Sequence, residues 1–326
     1  MNRLTDALDT ALDKTVLPGY SRLGHALRRT WWPADPEPGS LSGRHVVVTG
    51  ASGGLGAAAA TGLARLGAQV HLVGRTHERL VESAAAIRRE VPDAALVPQV
   101  CDVSDLDDVE RYAAQLREDL DDLHAIVHDA GVMPPERTES PQGHEVALAT
   151  HVLGPLLLTE RLRPLLEAAD DGRAVWVSSG GMYTAPLTRA LVDDLQYRDD
   201  EYDGVRAYAR TKRLQVVVAD LLAERHRGEY ATFSMHPGWA DTPGVTDSLP
   251  GFAKITAPLL RTPEQGADTM VWLAATTTSV TGTGGFWCDR RRRAERWLPW
   301  SADDPGLRRQ AWDRLATWAG LPVEGA

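Results

Sequence analysis

One run constrains this chain more than any other: His45-Val46-Val47-Val48-Thr49-Gly50-Ala51-Ser52-Gly53-Gly54-Leu55-Gly56. Consecutive valines bounded by glycine read as a buried strand, the alanine-rich stretch from Ala57 to Leu66 reads as a helix, and the glycines between them make the turn tight. Helix N-terminal amides and the helix dipole attract anions, while Gly50, Gly54 and Gly56 place no Cβ in the way of an approaching ligand. A lone glycine cluster would be equally consistent with a plain structural turn. With a strand before it and a helix after it, this one points to a pyrophosphate held by Gly50, Ser52, Gly53, Gly54, Leu55 and Gly56.

Alternation of strands with helices continues from Val46 to Trp287. That pattern implies a parallel sheet with right-handed crossovers, a single-domain α/β Rossmann fold with a doubly wound sheet of about seven strands. The core is expected over residues 41–289, between an N-terminal helical extension and proline-rich linker (1–40) and a C-terminal extension (290–326) that packs on the core. In the first extension, Leu4, Ala7, Leu8, Ala11 and Leu12 form a helical stripe. A membrane-surface helix is one reading of it; Asp6, Asp9 and Asp13 weigh instead toward packing against the sheet or a second subunit. In the last, Leu307, Trp312, Leu315 and Trp318 mark an amphipathic helix lying over the core. Arg290 to Arg293 read as a solvated face, with contact to an anionic substrate as the alternative. The segment Thr242 to Thr262, rich in proline and glycine, reads as a lid over the substrate. Trp239, Trp287, Trp297 and Trp300 fit an apolar pocket or simple packing equally well.

The second strand, Gln69 to Val73, ends in Gly74-Arg75-Thr76. An acidic residue at that strand end would hold a ribose 2′-hydroxyl; an arginine there suits a 2′-phosphate, so Arg75 favours NADP(H) over NAD(H). Asp102, after the next strand, is placed either to take the adenine amino group or to cap the helix beginning near Leu106. Much further on, Tyr208 and Lys212 stand one helical turn apart on one face. A phenol needs its pKa of roughly 10 brought down to exchange protons near neutrality, and a neighbouring ammonium does so by favouring the phenolate.

Composition is that of a globular chain, 43% hydrophobic over 326 residues. A net charge of −10 argues against nucleic acid as a partner. Cys101 and Cys288, both at strand ends, read as reduced buried thiols of a cytoplasmic protein. The ten histidines show no metal-ligand spacing with them, so no metal is expected. No 18-residue apolar run is present, which argues against a membrane span.

Taken together, the motifs resemble the short-chain dehydrogenase/reductase family, in its retinol-dehydrogenase-like branch and the group of dehydrogenase/reductase member 12. The resemblance rests on Thr49 to Gly56, Asp129-Ala130-Gly131, Ser178-Ser179-Gly180-Gly181-Met182, and Tyr208 with Lys212, in the family's order. The narrower group is suggested by Met235 to Val245, Gln265 to Met270 and Asp289-Arg290. The resemblance implies Tyr208 as general acid/base, Lys212 as the group that lowers its pKa and grips the nicotinamide ribose, and Ser179 as hydrogen-bond partner of the substrate oxygen, with Ser178 as the alternative. It implies cofactor contacts at Val103, Asp129, Ala130, Gly131, Pro237, Gly238 and Thr242. It also implies a small carbonyl or alcohol substrate and, through the Tyr208 helix, a possible homodimer.

Two positions depart from the family pattern. His128-Asp129 stands where two asparagines are usual, and His151 replaces the asparagine that anchors a water linking the lysine to solvent. An imidazole offers one donor and one acceptor, so His151 either serves that relay or breaks it. A catalytically silent NADP(H)-binding sensor or scaffold is the rival reading to an NADP(H)-dependent oxidoreductase.

Overall fold

The computed structural model describes residues 3–241, 257–296 and 303–323. Its centre is β1 (His45–Thr49), whose three valines are fully buried because parallel strands are covered on both faces. Around it lie β2 (Gln69–Gly74), β3 (Leu96–Val100), β4 (Ala125–His128), β5 (Arg173–Val177), β6 (Ala231–Met235), β7 (Phe286–Cys288) and β8 (Arg291–Arg293) in the order β3-β2-β1-β4-β5-β6-β7-β8. The first seven strands are parallel, as expected, and β8 adds an antiparallel eighth. The order reverses between β1 and β4, which opens a crevice at the carboxyl ends of those strands.

Three short helices, α1 (Arg3–Lys14), α2 (Val16–Tyr20) and α3 (Arg22–Arg28), precede the sheet. Within it come α4 (Gly54–Arg65), α5 (His77–Glu90), α6 (Leu106–Asp119), and α7 (Val146–Leu148), which runs through a π-helical turn at Ala149–Leu153 into α8 (Gly154–Ala168). Then follow α9 (Arg189–Asp193), α10 (Gly204–Arg225), α11 (Pro263–Ala275), α12 (Thr278–Thr281) and α13 (Pro305–Trp318). One sheet face is filled by Val109, Leu116, Leu156, Leu166, Leu214 and Leu222 of α6, α8 and α10, and α13 joins the same core through Trp312 and Leu315. The other is filled by Leu63, Leu80, Met270 and Leu273 of α4, α5 and α11. Cys101 and Cys288 are free and buried.

The run Arg290 to Arg293 corrects its reading as a solvated face or a contact for an anionic substrate. Arg291 to Arg293 form the edge strand β8, and three of the four arginines are ion-paired among the described residues. Arg293 reaches Asp9 at 2.5 Å, Arg291 reaches Asp6 at 3.0 Å, and Arg290 holds Asp268 at 2.7 Å and Asp35 at 2.6 Å. Arg292 donates to the carbonyls of Thr281 and Thr283 at 3.1 and 2.9 Å. The physical reason is the aspartates of α1: they turn toward the arginines, so α1 docks on the sheet edge through charge rather than through its leucines. The turn before β8 places Asp289 and Arg290 at φ 53° and 54°, left-handed backbone that costs side-chain-bearing residues about 1–2 kcal/mol each. Asp289 is held there by Arg28 at 2.7 Å and by Arg261 at 2.7 and 2.9 Å. Burial alone would raise its carboxyl, but the two guanidiniums hold it well below the usual range.

Candidate active site

The glycine turn follows β1 directly. Gly50 has φ +73°, and a Cβ there would lie 2.9 Å from the Cα of Ala130. A Cβ on Gly56 would lie 2.5 Å from the Gly50 carbonyl oxygen, so the turn and the start of α4 close on each other only with glycine at both places. The Gly56 amide donates to the Asp129 carboxylate, while no side chain caps α4 at Gly53. No described side chain takes the other first-turn amides, and the helix dipole stands behind them, a donor set that suits a pyrophosphate. Gly53 has open space around its Cα. Thr49 Oγ1 accepts the amides of Asp129 and Ala130 at 3.1 and 3.2 Å, tying β1 to the end of β4.

At the end of β2, Gly74 packs against Leu80 and Ser52, and Arg75 is exposed without an ion pair to any described residue. Asp102 is partly committed: its Oδ1 accepts the amide and hydroxyl of Ser104 at 2.9 and 2.7 Å. The cap of α6 is Asp105, through the amide of Asp107, rather than Asp102. Val103 is buried, and its carbonyl abuts Gly154, where a Cβ would stand 1.8 Å away. The residues present thus fit a nicotinamide dinucleotide, with the glycine turn and the start of α4 beside the crevice.

Across the crevice, Ser178 and Ser179 follow β5. Ser178 donates to the Lys212 carbonyl at 2.7 Å and is spent on holding α10. Ser179 Oγ accepts the Gly181 amide at 3.1 Å and lies on the same side of Gly181 as the Tyr208 ring. Lys212 is buried; its Nζ donates to the Val177 carbonyl at 2.8 Å and lies 5.3 Å from the centre of the Tyr208 ring. Burial pushes the ammonium down to about 8 and the facing Asp129 carboxyl up to about 7, each partly offset by the other. Tyr208 departs from expectation: burial and the Asp129 carboxylate push its phenol up to about 12, against the opposing effect of Ser179. Lys212 donates to the Val177 carbonyl and faces Asp129.

His151 sits in the π-helical turn, fully buried, with its ring edge-on to Tyr208 at 5.4 Å. Its Nε2 accepts the Val132 amide at 3.0 Å, and its Nδ1 meets Thr211 Oγ1 at 2.7 Å. Both ring nitrogens are occupied, so neither is left to hold a water for Lys212. A Cβ on Gly131 would lie 3.2 Å from Nε2, so Gly131 makes room for the imidazole. His128 binds Thr159 at 2.8 Å and packs on Trp176, away from the crevice.

Pro237 and Gly238 follow β6, and the Pro237 carbonyl accepts from Arg261 at 3.2 Å. Thr242, most of the segment read as a lid, Trp297 and Trp300 lie outside the described residues. Sequence reasoning missed Tyr20. Its ring packs on Gly180, edge-on to His236 at 4.7 Å, its hydroxyl bonds Tyr183, and its carbonyl accepts the Trp239 amide at 2.8 Å. A lone tyrosine in a segment without motifs gives no signal of such a position.

A doubly wound sheet with a dinucleotide cradle at its switch point, faced by a phenol and an ammonium one helical turn apart, defines the class of nicotinamide-dependent oxidoreductases. Comparison with known proteins narrows the class. Residues 44–188 match the family model of short chain dehydrogenase. The chain is 36% identical over 259 residues to human dehydrogenase/reductase SDR family member 12, covering 79% of this chain and 80% of that one. The chain belongs to the short-chain dehydrogenase/reductase family. It is also 28% identical to human retinol dehydrogenase 14, over 87% of this chain and 89% of the relative. A Streptomyces sp. (strain C5) protein, provisionally named a daunorubicin C-13 ketoreductase, is 33% identical over 86% and 94% of the two chains. Among solved structures, one from Escherichia coli CFT073, provisionally a short chain dehydrogenase and complexed with NADPH, superposes with a TM-score of 0.62 at 26% identity, covering 78% of this chain and all of that one. Among the described residues, no helix is long and apolar enough to cross a membrane.

Proposed function

We propose that this protein is an NADP(H)-dependent oxidoreductase that interconverts a carbonyl and an alcohol on a small, mostly apolar substrate. The observation that carries the reading is the placement of Ser179 beside Tyr208 around Gly181 at the carboxyl edge of the sheet, with Lys212 buried behind them. The bound nicotinamide supplies or accepts the hydride. As negative charge grows on a carbonyl oxygen, two donors aimed at it stabilise that charge more than the neutral ground state. Ser179 is suited to one role, because the Gly181 amide occupies one of its lone pairs and leaves its proton to donate. Tyr208 is suited to the other: a phenol held up to about 12 stays protonated at neutral pH and is ready to give its proton, which favours reduction over oxidation.

The cofactor preference is supported by Arg75 and by the lack of a carboxylate at the end of β2. The named ketoreductase and retinol dehydrogenases among the relatives support an apolar carbonyl or alcohol as substrate. The reading is tested by titrating the protein with NADPH and NADH through tryptophan fluorescence, then following nicotinamide absorbance with ketones, aldehydes and alcohols. Tight NADPH binding with turnover is expected. Tight binding without turnover of any compound would move the reading to a silent sensor, and absence of binding would remove it.

A further inference from the structure

The aspartates of α1 face inward. Asp9 is buried between Arg28 at 3.0 Å and Arg293 at 2.5 Å, and Asp6 pairs with Arg291. That arrangement turns the apolar stripe outward: Leu4 and Leu8 are 68% and 43% exposed, with Ala7 and Ala11 exposed on the same face. α3 repeats the inversion. Its Arg28 is fully buried while Leu23 and Leu27 are 59% and 43% exposed. Every large, exposed leucine among the described residues lies on these two helices.

Charge is sorted in the same sense. Lys14 borders the α1 stripe, Arg22 and Arg29 border that of α3, and all three are exposed without an ion pair to any described residue. In a chain of net charge −10, the acids of this segment are neutralised against the sheet edge and its cations remain beside its leucines. Of the aspartates that argue against a membrane-surface helix in the sequence, Asp9 and Asp13 are turned away from the exposed leucines, and Asp6, its side chain 48% exposed, is paired with Arg291. Apolar side chains fringed by cations match the boundary between acyl chains and anionic headgroups. A second copy of the chain fits less well, because a two-fold interface would bring the same cations toward each other.

We propose that the outward faces of α1 and α3 form a reversible docking surface for an anionic lipid membrane. The leucines enter the acyl boundary and Lys14, Arg22 and Arg29 meet the headgroups, while the buried Asp9–Arg28 pair fixes the two helices to one another. This surface does not depend on the catalytic reading. The module that carries it also places Tyr20 against Gly180, next to Ser179, so docking would bring the crevice close to a reservoir of apolar compounds.

The test is co-sedimentation of the full chain with vesicles of phosphatidylcholine alone and with vesicles containing phosphatidylglycerol. Binding to the anionic vesicles is expected to be at least tenfold tighter and to weaken with salt. Leu8→Gln with Leu23→Gln should lose about tenfold or more of that binding. Lys14→Glu with Arg22→Glu should abolish the preference for anionic lipid. All four sites are exposed, and unchanged thermal unfolding of the variants checks that the fold is kept. Failure to bind vesicles, or binding that neither pair of substitutions alters, would overturn the proposal. A dimer in analytical ultracentrifugation that the leucine substitutions split would overturn it in favour of a self-interface.

Discussion

The Nδ1 of His151 lies 2.7 Å from the hydroxyl of Thr211, and that hydroxyl donates onward to the Tyr208 carbonyl at 2.9 Å. Because the Val132 amide donates to Nε2, the imidazole carries its proton on Nδ1 and stays neutral, with burial and Lys212 both holding its pKa well below the ordinary value. His151 is thus a strut between the end of β4 and α10. His151→Leu strands the Val132 amide and should destabilise the fold by about 1–3 kcal/mol in denaturant unfolding. His151→Asn should leave both limbs of the pH–rate profile in place; a displaced limb would return the ring to the proton path.

Removing the phenolic hydroxyl removes the proton donor while keeping the ring. Tyr208→Phe should lower kcat by roughly 10²–10⁴-fold with NADPH affinity unchanged within about twofold, measured by steady-state kinetics and fluorescence titration. Ser179→Ala should cost less, about 10–10³-fold, since one donor remains. Undiminished turnover in Tyr208→Phe would show that another group gives the proton.

Asp129 titrates against the direction common for carboxylates. Its folded pKa of about 7 lies above its ordinary value because burial disfavours the charge, so the folded chain holds this proton more tightly than the unfolded one. Stability from this group is full below about pH 4 and is lost as pH rises toward 7. Asp129→Asn should flatten that decline, seen as a difference in Tm between variant and parent across pH 4–7. Parallel curves for the two proteins would refute the assignment.

Arg75 is exposed at the end of β2, where the proposed 2′-phosphate would lie. Arg75→Ala should weaken NADPH by about 10–100-fold and NADH by less than about threefold in parallel titrations. Equal losses would remove the 2′-phosphate argument.

Arg28 is fully buried between Asp9 and Asp289. Arg28→Met leaves both carboxylates short of a partner in the interior and should cost about 3–5 kcal/mol, read as a fall in unfolding midpoint. A change below about 1 kcal/mol would show that the N-terminal helices contribute little to holding the fold.

What the sequence disclosed and what it hid follow from the range of the interactions involved. The valines of β1 and the glycines after them carry their structure locally, in burial and in backbone permission, so the sheet and the cofactor turn were legible. Ser179, Tyr208 and Lys212 were legible as types at a spacing, but the upward pKa of Tyr208 depends on burial and on Asp129, which no local pattern reports. β8 was illegible because three arginines have no strand-like alternation; they become a strand only against aspartates from the opposite end of the chain. The same distance concealed the burial of Asp9 and the partners of His151.

The ion pair of Arg28 with Asp289 joins residues 261 positions apart in the chain. Closing so long a loop is entropically expensive and can be repaid only after the distal partner has been made. During synthesis from the N-terminus, the first helices must therefore remain undocked while the whole sheet is built, with their leucines and acids both open to solvent. Clasping comes last, so maturation of this protein should show a late step that the isolated nucleotide-binding half would lack, and a nascent chain stopped short of Asp289 would have its N-terminal segment accessible to protease.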